Sequence, residues 1–117
     1  MKVTNLKERI LEIKKSKDGT LVLELEKNND YSLAYGELQP GEKNNEHKME
    51  MQEVFYILSG KGIITIEEEK KAVKKDSMIV VPIGKKQSME NTGKKKMRFL
   101  MIVNPPYDEN KEKIIKE

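Results

Sequence analysis

The chain has no cysteine and no tryptophan, one histidine, and only four tyrosines and two phenylalanines in 117 residues. Without cysteine there is no disulfide framework, no thiolate zinc site and no thiol nucleophile. That absence fits a cytoplasmic protein. No apolar run approaches the roughly 20 residues that span a bilayer. No apolar segment follows a basic start, so no signal peptide is expected. A dominant charge is also missing: 23 Lys and Arg stand against 20 Asp and Glu, a net of +3. The lysine runs (Lys70-Lys71, Lys74-Lys75, Lys85-Lys86, Lys94-Lys95-Lys96) fall at turns and are interspersed with acids. A nucleic-acid surface wants basic residues on one face with aromatics between them. Nucleic acid is therefore not an expected partner. An excess of Lys and Glu resembles the composition of heat-adapted proteins.

What remains is a chain of short apolar runs between turn signals. Its length predicts a single domain spanning 1–117. Residues 3–15 place Val3, Leu6, Ile10 and Ile13 at helical spacing, which predicts a short amphipathic helix. Lys17-Asp18-Gly19-Thr20 reads as a turn. Residues 21–26 alternate as a strand with Leu21, Leu23 and Leu25 on one face, and 31–38 read as the next strand. Residues 54–58 and 63–67, joined through Ser59-Gly60-Lys61-Gly62, predict a β-hairpin. Ala72-Val73 reads as a short edge strand. Further strands are expected at 77–81, 87–90 and 97–103, stopped by Pro82, by Asn91-Thr92-Gly93 and by Pro105-Pro106. The pattern is all-β, a sandwich or barrel with its core at about 20–106. Residues 1–19 and 107–117 read as terminal arms, the latter polar with a short helix. Arms of this kind often cover the edge strands of a second subunit, so a homodimer is expected.

Two spaced motifs stand out. The first runs Gly41, His47, Met49, Glu53, Gly60; the second runs Asp76, Pro82, Gly84, Gln87, Asn91. His47, Met49 and Glu53 share parity, which puts them on one face of an extended chain. Gln87 would face the same interior from another strand. Gly41, Gly60 and Gly84 suit tight turns or bends. In order and spacing these motifs resemble those of the cupin superfamily, as do the segments Glu53-Val54-Phe55-Tyr56-Ile57-Leu58-Ser59-Gly60-Lys61-Gly62 and Ile79-Val80-Val81-Pro82-Ile83-Gly84. The resemblance covers about 30–106. It implies an antiparallel double-stranded β-helix, a jelly-roll-like barrel.

The resemblance also implies a site. His47 stands at the first metal-ligand histidine and Glu53 at the ligand glutamate. Met49 and Gln87 replace the second and third histidines, and Asp76 replaces a glycine. The expected metal set is thus His47, Glu53 and Gln87, with Met49 as a fourth candidate. Amide and thioether are weaker ligands than imidazole for Mn, Fe(II) or Zn, and thioether favours Cu(I). The expected cofactor is one divalent transition metal (Mn, Fe, Ni, Cu or Zn) or none. Glu53 is the candidate acid or base. Met49, Phe55, Met89 and Phe99 are expected to line the pocket, since Met fills adaptable apolar walls. Two functions follow. One is a metal-dependent enzyme of dioxygenase or isomerase type acting on a small substrate. The other is a non-catalytic ligand-binding or sensor cupin with a metal-free site.

Overall fold

Side chains that alternate inward and outward along short strands bury one face of each sheet, and two such sheets must then close on each other. The computed structural model describes residues 1–116. Helix α1 (Leu6–Arg9) and a 3-10 turn (Ile10–Glu12) precede the strands β1 (Lys14–Lys15), β2 (Leu21–Lys27), β3 (Ser32–Leu38), β4 (Glu46–Met49), β5 (Gln52–Ser59), β6 (Lys61–Ile66), β7 (Glu69–Lys74), β8 (Met78–Val81), β9 (Gln87–Asn91), β10 (Met97–Asn104) and β11 (Glu112–Lys116). Six strands form one sheet in the order β1-β2-β3-β10-β5-β8. Five form the other, β11-β4-β9-β6-β7. Neighbouring strands run antiparallel throughout, from β2–β3 to β6–β9. This is the expected all-β double-stranded barrel. Among the described residues no helix is long and apolar enough to cross a membrane.

Between the sheets lies one large apolar cluster that includes Leu38, Phe55, Ile57, Ile64, Met89 and Phe99. Phe55 and Phe99 meet edge to face, their ring centroids 5.7 Å apart. Glycine lets the two sheets approach. Gly62 faces inward from β6, and a Cβ there would stand 2.1 Å from the Glu90 carbonyl oxygen and 3.1 Å from the Met97 side chain.

Several local expectations need correction. The N-terminal helix spans four residues only, capped by Asn5, whose side chain accepts the Glu8 N–H at 3.1 Å. Val3 and Leu11 of the helical pattern are exposed, and so short a helix with no buried residue does not propagate. Leu21 and Leu23 share a face, opposite Glu37 and Tyr35, and it is the outer one; past Glu24 a bulge interrupts the β2–β3 register, with Leu25 beside Leu33. The hairpin expected at 54–67 is not one. β5 and β6 are separated by Gly60 alone yet lie in different sheets. Gly60 has φ +89°, and a Cβ there would come within 2.9 Å of the Met97 Cα, so the chain turns a corner between sheets. The hairpin is instead β6–β7, closed at Glu67-Glu68.

Both arms pack on their own barrel. Lys2 pairs with Glu26, and an Arg9 N–H donates to the Glu24 carbonyl. The C-terminal segment is mostly strand, with β11 added beside β4. Gly62→Ala should lower stability by roughly 2–4 kcal/mol through overpacking against a backbone oxygen. Urea denaturation checks this, and an unchanged midpoint would mean that β6 and β9 have room to separate.

Candidate functional site

His47 reaches the interior because β4 pairs with β9 at a single register point, His47 opposite Gln87. Its ring is fixed by Nδ1, which lies 2.7 Å from the Asn45 carbonyl oxygen. A carbonyl only accepts, so Nδ1 carries the hydrogen and Nε2 faces the cavity.

Two carboxylates meet Nε2 there. Asp18 Oδ2 lies at 3.3 Å and Glu112 Oε2 at 3.7 Å. The ligand atoms of Asp18, His47 and Glu112 all lie within 4.8 Å of one another, and all three residues are buried. Each is held from behind. The other Asp18 oxygen accepts the Ser16 hydroxyl and the Thr20 N–H, both at 2.9 Å. The loop carrying it is docked by the Asn45 N–H on the Asp18 carbonyl and by the Asn44 amide on the Thr20 hydroxyl. Glu112 accepts the Tyr107 hydroxyl through its second oxygen. The Lys17 ammonium donates to the Glu109 and Glu112 carbonyls and so ties the Asp18 loop to β11.

Glu53 is the third acid. It comes from β5 and is 5% exposed, and its Oε1 accepts from the Gln87 amide at 3.1 Å. Burial, reinforced by the nearby charge of Asp18, pushes its carboxyl up to about 8, against the smaller opposing effect of the Gln87 hydrogen bond. The Glu112 carboxyl is likewise raised, first by burial. The Tyr107 hydroxyl is raised by burial and by its bond to Glu112. These acids share a cavity of about 80 Å³, lined also by Val22, Ala34, Met49, Met101 and Val103. That is room for about two or three waters. No Lys or Arg side chain lines it.

The expected residues divide into two groups. His47, Glu53 and Met49 line the cavity. Gln87 stands behind Glu53, its amide spent on that carboxyl. Phe55, Met89 and Phe99, expected at the pocket, belong to the apolar core and do not line the cavity. Phe99 lies one inward position before Met101 along β10, a step of roughly 7 Å along the strand. Asp18 and Glu112 were not expected. Asp18 sits in a Lys-Asp-Gly turn signal that accounts for it without a site. Glu112 sits in a polar tail whose alternation is too short to mark a strand.

A His nitrogen and two carboxylates within this reach suit a divalent cation of borderline or hard character.

Comparison with known proteins places these positions. The family model described as "Cupin domain" matches residues 34–103. The uncharacterized protein MJ1618 of Methanocaldococcus jannaschii is 34% identical over 106 residues, 86% of this chain and 85% of its own. Among solved structures, a conserved protein with a double-stranded β-helix domain from Klebsiella pneumoniae superposes with a TM-score of 0.80 at 15% identity, over 100% of this chain and 99% of its own. A predicted oxalate decarboxylase from Thermotoga maritima superposes with a TM-score of 0.68 at 25% identity, over 74% of this chain and 80% of its own. Asp18 and Glu112 both lie outside the family match, which covers His47, Glu53 and Gln87.

Glu53 sets a pH dependence. Its folded carboxyl titrates near 8, above its ordinary value of 4.5. Its contribution to stability is therefore complete below about pH 4.5, declines as pH rises, and is lost above about pH 8. The decline should amount to roughly a few kcal/mol in metal-free protein. Glu53→Gln should flatten the profile and raise the Tm at pH 8. Thermal melts of both proteins from pH 5 to 9 (about that range suffices) check this, and superimposable profiles would place the Glu53 carboxyl in water.

Proposed function

Because the chain belongs to the cupin family, we propose that it is a metal-dependent enzyme of small substrates whose cation is held by Asp18, His47 and Glu112. The observation that carries this reading is the His47 Nε2 aimed between two buried carboxylates in a cavity that no Lys or Arg side chain lines. Two carboxylates balance a divalent charge, and a neutral imidazole adds a third donor. Glu53, His47, Gln87 and Met49 are the family's ligand positions, but only His47 keeps that role here. Glu53 is held protonated near neutral pH by burial and by Asp18. Gln87 is committed to it as a donor.

A divalent cation in this site would supply Lewis acidity toward a substrate oxygen. Glu53 does the proton chemistry. With Oε1 fixed by Gln87, the proton is held at Oε2, where it can be given to a substrate atom and later taken back. Gln87 orients that exchange and does not itself react. Met49, Val22, Ala34, Met101 and Val103 exclude water from the other walls. The cavity admits only a small substrate or one end of a larger one. The likeness to the predicted oxalate decarboxylase of Thermotoga maritima supports a small oxyacid as the class, and an anion would need the cation to enter a chamber with three acids. Assembly as a homodimer belongs to the same reading.

Elemental analysis of protein purified without chelator tests this. About one Mn, Fe, Ni, Cu or Zn per chain is expected. Asp18→Asn, Glu112→Gln and His47→Ala should each lose it, while Glu53→Gln should keep it and lose turnover of the substrate. Metal retained in the first three variants, or lost on Glu53→Gln, would return the site to the family's ligand positions. Met49→His with Gln87→His should create a second, competing donor set, read as tighter Ni binding in calorimetry. No gain would mean that positions 49 and 87 do not converge on one ion.

A further inference from the structure

The C-terminal segment, residues 105–116, closes one side of the cavity with Tyr107 and Glu112. It ends in β11, an edge strand that pairs with β4 alone. β4 in turn meets β9 at one register point, His47 opposite Gln87. The attachment of this segment to the barrel is therefore narrow. Beneath it lies a small apolar cluster of Met49, Met51 and Val103, with Tyr107 packed against it. That cluster is separate from the main core, which holds no residue of the segment. Segments with few buried apolar contacts open locally before the rest of a protein unfolds.

What the segment buries is a charge. Of residues 105–116 only Glu112 is buried. Along β11 Lys113, Ile115 and Lys116 are exposed and Ile114 is half-buried. A strand ordinarily docks through apolar side chains; this one docks through a carboxylate. The Glu112 carboxylate meets Asp18 and His47, and Glu53 lines the same chamber. Its hydrogen bond from the Tyr107 hydroxyl comes from within the segment and does not tie it to the barrel. The Lys17 ammonium reaches the Glu109 and Glu112 carbonyls but does not line the chamber. Burying a charge among like charges is costly unless a counter-charge is supplied. Outside the β4 ladder and Lys17, the ties are single hydrogen bonds. The Tyr107 N–H donates to the Ser32 hydroxyl, the Glu50 N–H to the Lys111 carbonyl, and the Asp108 N–H to the Met51 sulfur.

We propose that residues 105–116 are a strap controlled by the cation: on loss of the cation the strap opens from the barrel as one unit and uncovers Met49, Met51 and the cavity, and on its return the strap closes. This rests on the reading that Asp18, His47 and Glu112 hold a divalent cation, and it names how that site is regulated. Counter-charge between Asp18 and Glu112 removes the repulsion that opposes docking. Shared donors then tie the Asp18 loop and β4 to β11. Because the full donor set exists only in the closed form, metal favours that form by mass action. The pairings of β3, β10 and β5 are independent of the strap and hold in both states.

Amide hydrogen exchange on the full chain tests this, first in chelator and then with Mn or Zn added in steps, with bound metal measured in the same samples. In chelator, the β11 amides and the Glu50 amide should exchange at least about tenfold faster than those of β3, β5 and β10. At a metal concentration about 100 times that of half-saturation, they should slow by roughly a hundredfold. Glu112→Gln removes the buried charge and keeps an oxygen for the Tyr107 hydroxyl. It should slow β11 exchange in chelator at least about tenfold and abolish the response to metal. Asp18→Asn relieves the same repulsion from the facing side, should act likewise, and serves if Glu112→Gln does not fold. Metal that binds without slowing β11 overturns the strap and leaves the cation reading standing. So does a β11 that exchanges in step with β3, β5 and β10 in chelator, or faster exchange in both variants than in the parent. A parent that binds no metal overturns the cation reading and the strap together.

Discussion

One hydrogen bond, from His47 Nδ1 to the Asn45 carbonyl, fixes which way the only imidazole in the chain presents its second nitrogen. Everything else in the cavity answers to that choice. Nε2 faces Asp18 and Glu112, whose remaining oxygens are bound from behind, so neither carboxylate is free to turn away. Glu53 holds its proton first because it is buried and then because it sits in the field they create. The apolar walls keep water from screening these charges, which makes each of them count for more than it would at a surface. Among the described residues every buried side-chain nitrogen and oxygen has a partner, so the strain in the site is one of charge and not of missing hydrogen bonds.

The family positions and the acid cluster divide the labour differently from the motif. The residues at the motif positions of the barrel are an imidazole, a thioether, a raised carboxyl and an amide. The hard donors come from the two segments that flank the family match, the Asp18 loop and β11. On the proposed reading, with Met and Gln at positions 49 and 87, the donors lie across the cavity and Glu53 is left for proton transfer.

Much of the fold was legible because its punctuation is unambiguous. Pro82, Pro105-Pro106 and the Asn91-Thr92-Gly93 turn bound β8, β9 and β10 close to where the sequence suggests. The corner at Gly60 was not legible, since a glycine between two β-branched runs looks the same whether the chain folds back within a sheet or crosses to the other. The inward parity of His47, Met49 and Glu53 survived a turn and a change of sheet, so the centre of the site could be read from the chain. Its other half could not. Asp18 and Glu112 are ordinary residues of a turn and a charged tail, and only the tertiary docking of those segments gives them a role.

Lys17 donates to carbonyls 92 and 95 positions further along the chain. The acid cluster is therefore clasped by hydrogen bonds between segments near opposite ends of the chain, whose closure carries a large loop entropy. During synthesis, a chain lacking β11 would have its barrel strands and His47 but neither Glu112 nor the clasp. Such a chain cannot complete the Asp18, His47 and Glu112 cluster, so on the proposed reading a metal ion would load only after the last strand has docked.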